Sequence, residues 1–312
     1  MDGIDNQHRS ILQRIARRAM LERGLFPDFS AEALAELATI EGTVSVTDDG
    51  LHRDLRDLPW ASIDNDDSLD LDQLTVACVS PGDTVKILVA VADVDSIVKN
   101  GSAIDDHARH NTTSVYTAAT IFPMLPDKFS TNLTSLNFKE DRPAIVIEMM
   151  VAADGSIGGS DIYRAYVRNH AKLAYNSVAE WLEGGAAPEA LAAVTGLGEN
   201  LRIQDRTAQN MKALRHVHGA LDLETVEARP VFDGDTIREL NIEKRNRAKD
   251  LIADFMIAAN GVTARYLSSK KVPSLRRVVR TPKRWGGLSN SPGNMDSIFP
   301  IHLTRRDWRL SS

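Results

Sequence analysis

The stretch SIDNDDSLDLDQL, residues 62–74, decides how this sequence is interpreted. It places five carboxylates within nine positions: Asp64, Asp66, Asp67, Asp70 and Asp72. The flanking segments predict β-strands and not a disordered acidic tail. Like charges at this density repel one another unless a cation neutralises them. Because Mg²⁺ and Mn²⁺ prefer hard oxygen ligands, the stretch predicts a divalent-metal site.

The spacing of these acids excludes a calcium-binding EF-hand loop. That loop requires Gly at position 6 and Glu at position 12, and counting from Asp64 these positions hold Leu69 and Thr75. Asp70 and Asp72 are two residues apart, so they point to the same side of an extended chain. A solvated acidic loop without a ligand is the remaining alternative.

Asp64, Asp70 and Asp72 stand at relative positions 0, +6 and +8, and this spacing resembles the signature of the ribonuclease II / ribonuclease R (RNB) family. The resemblance continues in order as far as residue 285. The segments that carry it are TSVYTAATIFPMLPDKFSTNLTSLN (113–137), DRPAIVIEMMVAADGSI (141–157), HAKLAYNSVAEWLEG (170–184), HGALDLET (218–225) and RNRAKDLIADFMIAANGVTAR (245–265).

The resemblance implies an α+β fold, an RNB-type catalytic domain of mixed β-sheets with surrounding helices. It implies a hydrolase, a 3′-to-5′ exoribonuclease that converts single-stranded RNA to nucleoside 5′-monophosphates with Mg²⁺, or with Mn²⁺ as the alternative. Asp64, Asp70 and Asp72 then match the metal-binding acids, and Asp70 and Asp72 are the expected catalytic residues. Two metals held about 4 Å apart on one carboxylate face can activate water for this reaction.

Two further residues are expected to contact RNA because they match family positions. Tyr116 matches a tyrosine that stacks on a base near the RNA 3′ end, and such stacking tolerates any sequence. Asp254 matches an acid that contacts the terminal ribose, where the 2′-hydroxyl distinguishes RNA from DNA. The alternatives are a loop-anchoring tyrosine and an exposed helix acid. A second family aromatic corresponds to Leu223 here, which predicts a one-sided base clamp.

Gln73 departs from the family signature, which has a fourth Asp at this position. A neutral amide in place of a carboxylate weakens divalent-metal binding. This favours a second hypothesis, a catalytically weak or inactive RNA-binding protein that keeps the RNB fold. A third hypothesis, a phosphoesterase acting on a small substrate, leaves the Tyr116 loop without a purpose.

The chain divides into three predicted parts: a helical segment over 1–48, an RNB-like catalytic domain over 49–285, and an unmatched, disordered tail over 286–312. The domain is predicted to contain hairpins over 74–94 and 144–167 and helices over 175–184, 198–217 and 244–268. The N-terminal segment is predicted to contain a helix over 7–24 and a second helix capped by Ser30.

The family continues well beyond residue 285, so the resemblance implies a domain that is incomplete at its C-terminal end. The tail is interpreted as the product of a frameshift or a mis-called gene end. In the family, this C-terminal part contributes an arginine near the scissile phosphate. Its absence predicts weak activity, because the developing phosphoryl charge is less stabilised. The C-terminal part of the family domain would cover apolar surface. Its absence predicts poor solubility and partial exposure of an apolar stripe on the last helix. The members of that stripe are Ala248, Leu251, Ile252, Phe255, Ala259 and Val262.

Composition agrees with a globular protein that acts on a polyanion. The net charge of −6 hides an asymmetry, because residues 1–150 carry 13 Lys and Arg against 25 Asp and Glu. The second half is basic and contains the run Arg276, Arg277, Arg280, Lys283 and Arg284. The chain shows no apolar run that could span a bilayer and no signal segment. We therefore expect a cytoplasmic protein whose partner is single-stranded RNA, and no protein partner is predicted.

Overall fold

A computed structural model describes residues 8–43, 50–79, 82, 84–220, 227–243 and 245–273. Its helices are α1 His8–Glu22, α2 Ala31–Thr39, α3 Ala103–Asn111, α4 Tyr175–Leu182, α5 Glu189–Ala192, α6 Leu197–Val217 and α7 Arg247–Ser269. Its strands are β1 Arg53–Asp54, β2 Ala61–Asp64, β3 Gln73–Val79, β4 Val85–Ala92, β5 Val115–Tyr116, β6 Ile121–Phe122, β7 Asp141–Val151, β8 Ile157–Arg168, β9 Ala171–Ala174, β10 Glu227–Asp233 and β11 Thr236–Glu243. Leu223, the basic run over 276–284 and the tail over 286–312 lie outside the described residues.

Seven of the strands form one mixed sheet in the order β1-β8-β7-β4-β3-β2-β9. The two outer pairs, β1 with β8 and β2 with β9, are parallel, and the inner pairs are antiparallel. Both predicted hairpins are confirmed as β3–β4 and β7–β8. In these strands apolar residues either alternate with polar ones or follow one another directly, so local sequence specifies the strands. The α+β class with a mixed sheet is confirmed.

The sheet buries side chains on both faces. On one face Trp60, Leu74 and Val76 form a core cluster with residues from β7 and β8. The other face packs Ile63 and Met149 against the helices α4, α5, α6 and α7. Burial of apolar side chains on each side is the main stabilising contribution to this layered arrangement.

Helix α7 corrects one expectation from the sequence. Its six stripe residues lie at helical spacing as predicted, but none is more than 6% exposed. They pack on the sheet and on the neighbouring helices α4 and α6. The expectation that part of this stripe would be exposed was therefore wrong, because the sheet face already covers it.

The two N-terminal helices pack on the rest of the protein. Ser30 caps α2 as predicted, and its hydroxyl accepts a hydrogen bond from the Ala33 N–H at 3.2 Å. Ala33 then joins Ile104 and Phe129 in a third core cluster. The described residues up to Lys271 form one compact unit by their internal contacts. The domain boundaries at 48/49 and 285/286 stay predictions.

Among the helices of the described ranges, none is both long enough and apolar enough to cross a membrane.

Candidate active site

Strand β2 carries Asp64 to the edge of the site. Ala61, Ser62 and Ile63 are at most 1% exposed, and Asp64 is the first residue of the strand to reach the surface partly. Parallel pairing with β9 sets Asp64 opposite Ala174. The buried strand therefore fixes the backbone that presents this carboxylate.

Backbone hydrogen bonds on both sides of Leu71 hold the second half of the acidic loop. The Leu71 N–H donates to the Ser135 hydroxyl at 3.1 Å, and the Leu71 carbonyl accepts from the Leu136 N–H at 2.7 Å. The next carbonyl, that of Asp72, accepts from the Ala92 N–H at 3.0 Å. Because Leu71 is only 4% exposed, Asp70 and Asp72 are presented from a fixed backbone.

Ser68 lies between two of the acids. Its hydroxyl oxygen is 3.0 Å from Asp64 Oδ2 and 3.1 Å from Asp70 Oδ1. A hydroxyl group has one proton and donates it to one acceptor at a time, so Ser68 forms a hydrogen bond with only one of the two carboxylates at any moment. The Lys172 ammonium donates to the Ser68 carbonyl at 2.6 Å and so brings a cation to the loop.

The sequence interpretation did not identify Ser68 or Lys172. Ser68 is inside the quoted motif, where its spacing from both acids was a usable signal. Lys172 comes from β9, and 104 residues separate it from Ser68. Only the parallel pairing of β2 with β9 brings the two together, and no local pattern predicts that pairing.

The three acids interact electrostatically. Partial desolvation raises the pKa of Asp72 to about 6, and the negative charges of Asp64 and Asp70 contribute to the rise. The Asp72 side chain is nevertheless exposed at the surface, so its carboxyl group is not part of the core. Asp66 and Asp67 are exposed loop residues as well. Of the trio that the motif spacing selected, Asp64 and Asp70 both lie next to the Ser68 hydroxyl, and the charges of both reach Asp72.

The donor set suits a hard divalent cation in its chemistry. Carboxylate oxygens are the preferred protein ligands of Mg²⁺, and the charges of Asp64 and Asp70, which add to the effect of desolvation on the pKa of Asp72, are charges that a cation would neutralise. Within the described ranges, however, no three His, Cys, Asp or Glu side chains already converge as a set of metal ligands. Metal binding by Asp64, Asp70 and Asp72 therefore stays a proposal.

Tyr116 lies beside this acidic cluster on a short hairpin. It pairs with Ile121 between β5 and β6, and its ring is 67% exposed. The pKa of Tyr116 is raised by desolvation and by the charges of Asp70, Asp72 and Asp64, in that order. An exposed aromatic ring within the electrostatic field of the acids is available for stacking, and it does not anchor a core.

Gln73 begins β3 and is half-buried, and its backbone pairs with Val91. Side chains alternate across a strand, and the next residue, Leu74, is fully buried in the core cluster around Trp60. Gln73 therefore joins the acidic loop to the sheet.

Asp254 is not the exposed helix acid that the sequence left as an alternative. It is 3% exposed on α7 and forms an ion pair with Arg215 of α6. Desolvation raises the pKa of Asp254, although the neighbouring Arg215 opposes the rise. The carboxylate lines a cleft between α6 and α7 together with Lys212, Arg245 and Asp250.

Comparison with known proteins identifies the family. The RNB domain model matches residues 52–289. Ribonuclease R of Vibrio cholerae serotype O1 is 35% identical over 230 residues, which are 73% of this chain and 28% of that protein. The chain belongs to the RNB family. It spans less than 40% of the length of the curated Ribonuclease R relatives that it matches.

Solved structures agree with this assignment. Mycoplasma genitalium RNase R in complex with ribose methylated single-stranded RNA matches with a TM-score of 0.77 and 25% identity, over 89% of this chain and 43% of that one. Yeast Ssd1, a pseudonuclease, matches with a TM-score of 0.56 and 18% identity, over 73% of this chain and 28% of that one. The second match shows the fold alone.

Proposed function

We propose that this chain forms the catalytic core of a metal-dependent 3′-to-5′ exoribonuclease that hydrolyses single-stranded RNA to nucleoside 5′-monophosphates in the cytoplasm. One observation carries the proposal: the Ser68 hydroxyl oxygen lies 3.0 Å from Asp64 and 3.1 Å from Asp70, and the exposed Tyr116 side chain is close enough to these acids for their charges to raise its pKa. A phosphodiester bound there would have carboxylates on one side and a stacked base on the other. The direction of degradation and the product rest on the family.

The acidic residues would have two roles in hydrolysis, binding metal and orienting the attacking water. Asp64, Asp70 and Asp72 would hold Mg²⁺ or Mn²⁺, which supplies charge neutralisation at the phosphate and lowers the pKa of water. Asp70 and Asp72 would orient the attacking water, because the bonds on either side of Leu71 fix their backbone. Lys172 would limit the repulsion within the loop while substrate is absent.

The remaining proposed contacts select the substrate. Tyr116 would stack on a base near the 3′ end regardless of its identity. Asp254 would accept a hydrogen bond from the terminal ribose, and its ion pair with Arg215 would hold the carboxylate in one orientation. Since Arg215 satisfies only part of the carboxylate, oxygen lone pairs stay available for a 2′-hydroxyl.

Hydrolysis of a 5′-labelled oligoribonucleotide tests the proposal. With Mg²⁺, we expect progressively shorter products from the 3′ end and nucleoside 5′-monophosphates by chromatography. A DNA oligonucleotide of the same sequence and an EDTA-treated sample serve as controls. Asp72→Asn is the matched variant, because it removes one charge and keeps the side-chain shape. Internal cleavage products, or equal rates with and without divalent metal, would contradict the proposal.

A second function is favoured by Gln73, which replaces a carboxylate that the family signature contains. In this alternative, the chain binds RNA through the Tyr116 loop and turns it over slowly or not at all. The same assay separates the two functions. Submicromolar binding of RNA without Mg²⁺-dependent shortening would select the RNA-binding protein over the enzyme.

A further inference from the structure

Helix α1 carries a concentration of positive charge that the proposed chemistry does not use. Residues 1–150 contain 13 Lys and Arg, and five of these lie between positions 9 and 23. They are Arg9, Arg14, Arg17 and Arg18 on α1 and Arg23 directly after it, and all five are exposed. The surrounding half of the chain is acidic, so this helix is a local reversal of charge.

The helix is attached to the hairpin that presents Tyr116. The Gln13 side-chain amide donates to the Ala119 carbonyl at 3.3 Å. Ala119 lies in the turn between Tyr116 and its strand partner Ile121, where Thr117 N–H bonds the Thr120 carbonyl at 3.0 Å. The basic helix therefore lies directly against the loop proposed to grip RNA.

Further contacts fix α1 at both of its ends. At the first turn, the Arg9 N–H donates to the Asp235 carbonyl at 3.0 Å, and the Ser10 N–H donates to the Asp235 carboxylate, also at 3.0 Å. At the last turn, Met20 is 3% exposed. Beyond the helix, the Phe26 ring stacks on the His110 ring of α3 at 3.8 Å. A helix held at three places presents its arginines in a defined position.

The arginines next to Gln13 form a continuous surface. Arg14, Arg17 and Arg18 follow Gln13 by one, four and five residues, so they lie within about one and a half turns of it. Arg17 pairs with Asp28 and Arg18 pairs with Glu22, but all four side chains are at least half exposed. Within the described residues Arg14 forms no ion pair, so its guanidinium is available to a ligand. Exposed ion pairs of this kind contribute little to stability. Fold stability therefore does not explain why the arginines are clustered.

We propose that α1 is a phosphate-binding surface for the single-stranded RNA that extends outward from Tyr116. The inference rests on the proposed function, because it assumes that the RNA 3′ end occupies the acidic site. Bases stacked at Tyr116 would place the following backbone beside Ala119, where Arg14, Arg17 and Arg18 meet it. Guanidinium groups bind phosphate oxygens through paired N–H donors. The surface would bind RNA of any sequence and would act only on strands long enough to reach it.

Binding of labelled RNAs of two lengths tests this surface. All proteins carry Asp72→Asn to prevent degradation, and Kd is measured by fluorescence anisotropy for a 4-mer and a 16-mer over a range of salt concentrations. The test variant is Arg14→Gln/Arg18→Gln. The matched control is Arg202→Gln/Arg206→Gln, which removes two exposed arginines at the same spacing from α6. Thermal melts establish that both variants fold.

The expected result is specific to length. Arg14→Gln/Arg18→Gln weakens 16-mer binding by about three- to tenfold near 0.1 M salt and lowers the salt slope by about 1.4, as for two lost phosphate contacts on a single strand. Binding of the 4-mer and both affinities of the control stay unchanged. An unchanged 16-mer affinity, or an equal loss for both lengths, would overturn the proposal. Failure of the proposed function appears separately, as absence of hydrolysis by the protein with Asp72 intact.

Discussion

Arg215 of α6 forms an ion pair with Asp254 of α7, at a position where the Asp254 side chain is only 4% exposed. The pair joins two helices that both pack on one face of the sheet. Burial raises the pKa of Asp254 and the Arg215 charge lowers it, with burial the larger effect. The Arg215 charge thus opposes the protonation of Asp254 that burial favours.

Replacing Arg215 should destabilise the protein through Asp254. Arg215→Gln leaves a buried carboxylate without its cation, which typically costs about 3 kcal/mol or more. The pKa of Asp254 should then rise further. The loss of folding stability is therefore largest above that pKa and shrinks as acidification protonates the carboxyl group. Urea unfolding at several pH values between 5 and 8 measures this dependence.

The double variant Arg215→Gln/Asp254→Asn is the control for that prediction. It removes both charges, so it should be more stable at pH 8 than Arg215→Gln alone. Arg238→Gln, which breaks an exposed ion pair with Asp233, should change stability by less than about 1 kcal/mol. A loss for Arg215→Gln as small as that for Arg238→Gln would mean that the buried pair does not support the α6–α7 contact.

Asp72 should be required for hydrolysis but not for binding. Asp72→Asn removes one carboxylate from the trio, so RNA hydrolysis should be abolished while RNA affinity stays nearly intact. Oligoribonucleotide degradation and anisotropy measure the two properties. A variant that degrades RNA at the parent rate would remove Asp72 from the mechanism.

Asp72→Asn should stabilise the metal-free protein, although it abolishes hydrolysis. Because its pKa is raised to about 6 in the folded protein, ionisation of Asp72 disfavours folding above that pH. The penalty is absent below the pKa of the unfolded chain, near 4. Asp72→Asn should therefore raise the melting temperature in EDTA at pH 8, and the difference from the parent should fade toward pH 4. A lower melting temperature at pH 8 would be incompatible with repulsion among the acids.

Local sequence was sufficient for several of the elements, and it selected the acidic trio, whose role in the site stays a prediction. The β3–β4 and β7–β8 hairpins, the Ser30 cap and the α7 stripe each follow from residues that are near one another in the chain. Lys172 and the burial of Asp254 were not predictable in this way. Lys172 reaches Ser68 only through β2–β9 pairing, and Asp254 is buried by α6, a helix separated from it by the β10–β11 hairpin. Helical periodicity shows which residues share a face, but it does not show what covers that face.

The Tyr116 ring should contribute most of one base-stacking contact. Tyr116→Ala should weaken binding of short single-stranded RNA by about 1–3 kcal/mol, whereas Tyr116→Phe should be nearly neutral because the ring is retained. Anisotropy with a 4-mer measures both. Equal damage from Phe and Ala would assign the contribution to the hydroxyl group and contradict stacking.

The Asp254 carboxylate should influence the choice between RNA and DNA. Asp254→Asn keeps the side-chain shape but weakens acceptance of a hydrogen bond from a ribose 2′-hydroxyl. The ratio of RNA to DNA hydrolysis rates should therefore fall. Rates on matched oligonucleotides measure the ratio, and Asp250→Asn, in the same cleft, is the control. A preserved ratio in Asp254→Asn would count against a ribose contact.

Gln73 should limit the affinity of the site for divalent metal. Gln73→Asp adds a negative charge next to Asp72, and at this short range one further carboxylate should lower the Mg²⁺ concentration for half-maximal hydrolysis by roughly tenfold. Mg²⁺ titrations of the parent and variant measure this. Ala187→Asp, which adds the same charge to an exposed loop after α4, should leave the titration unchanged. Without metal, Gln73→Asp should also melt at a lower temperature than the parent, because it adds repulsion to the acidic cluster. Superimposable Mg²⁺ curves for parent and Gln73→Asp would show that position 73 does not influence the metal.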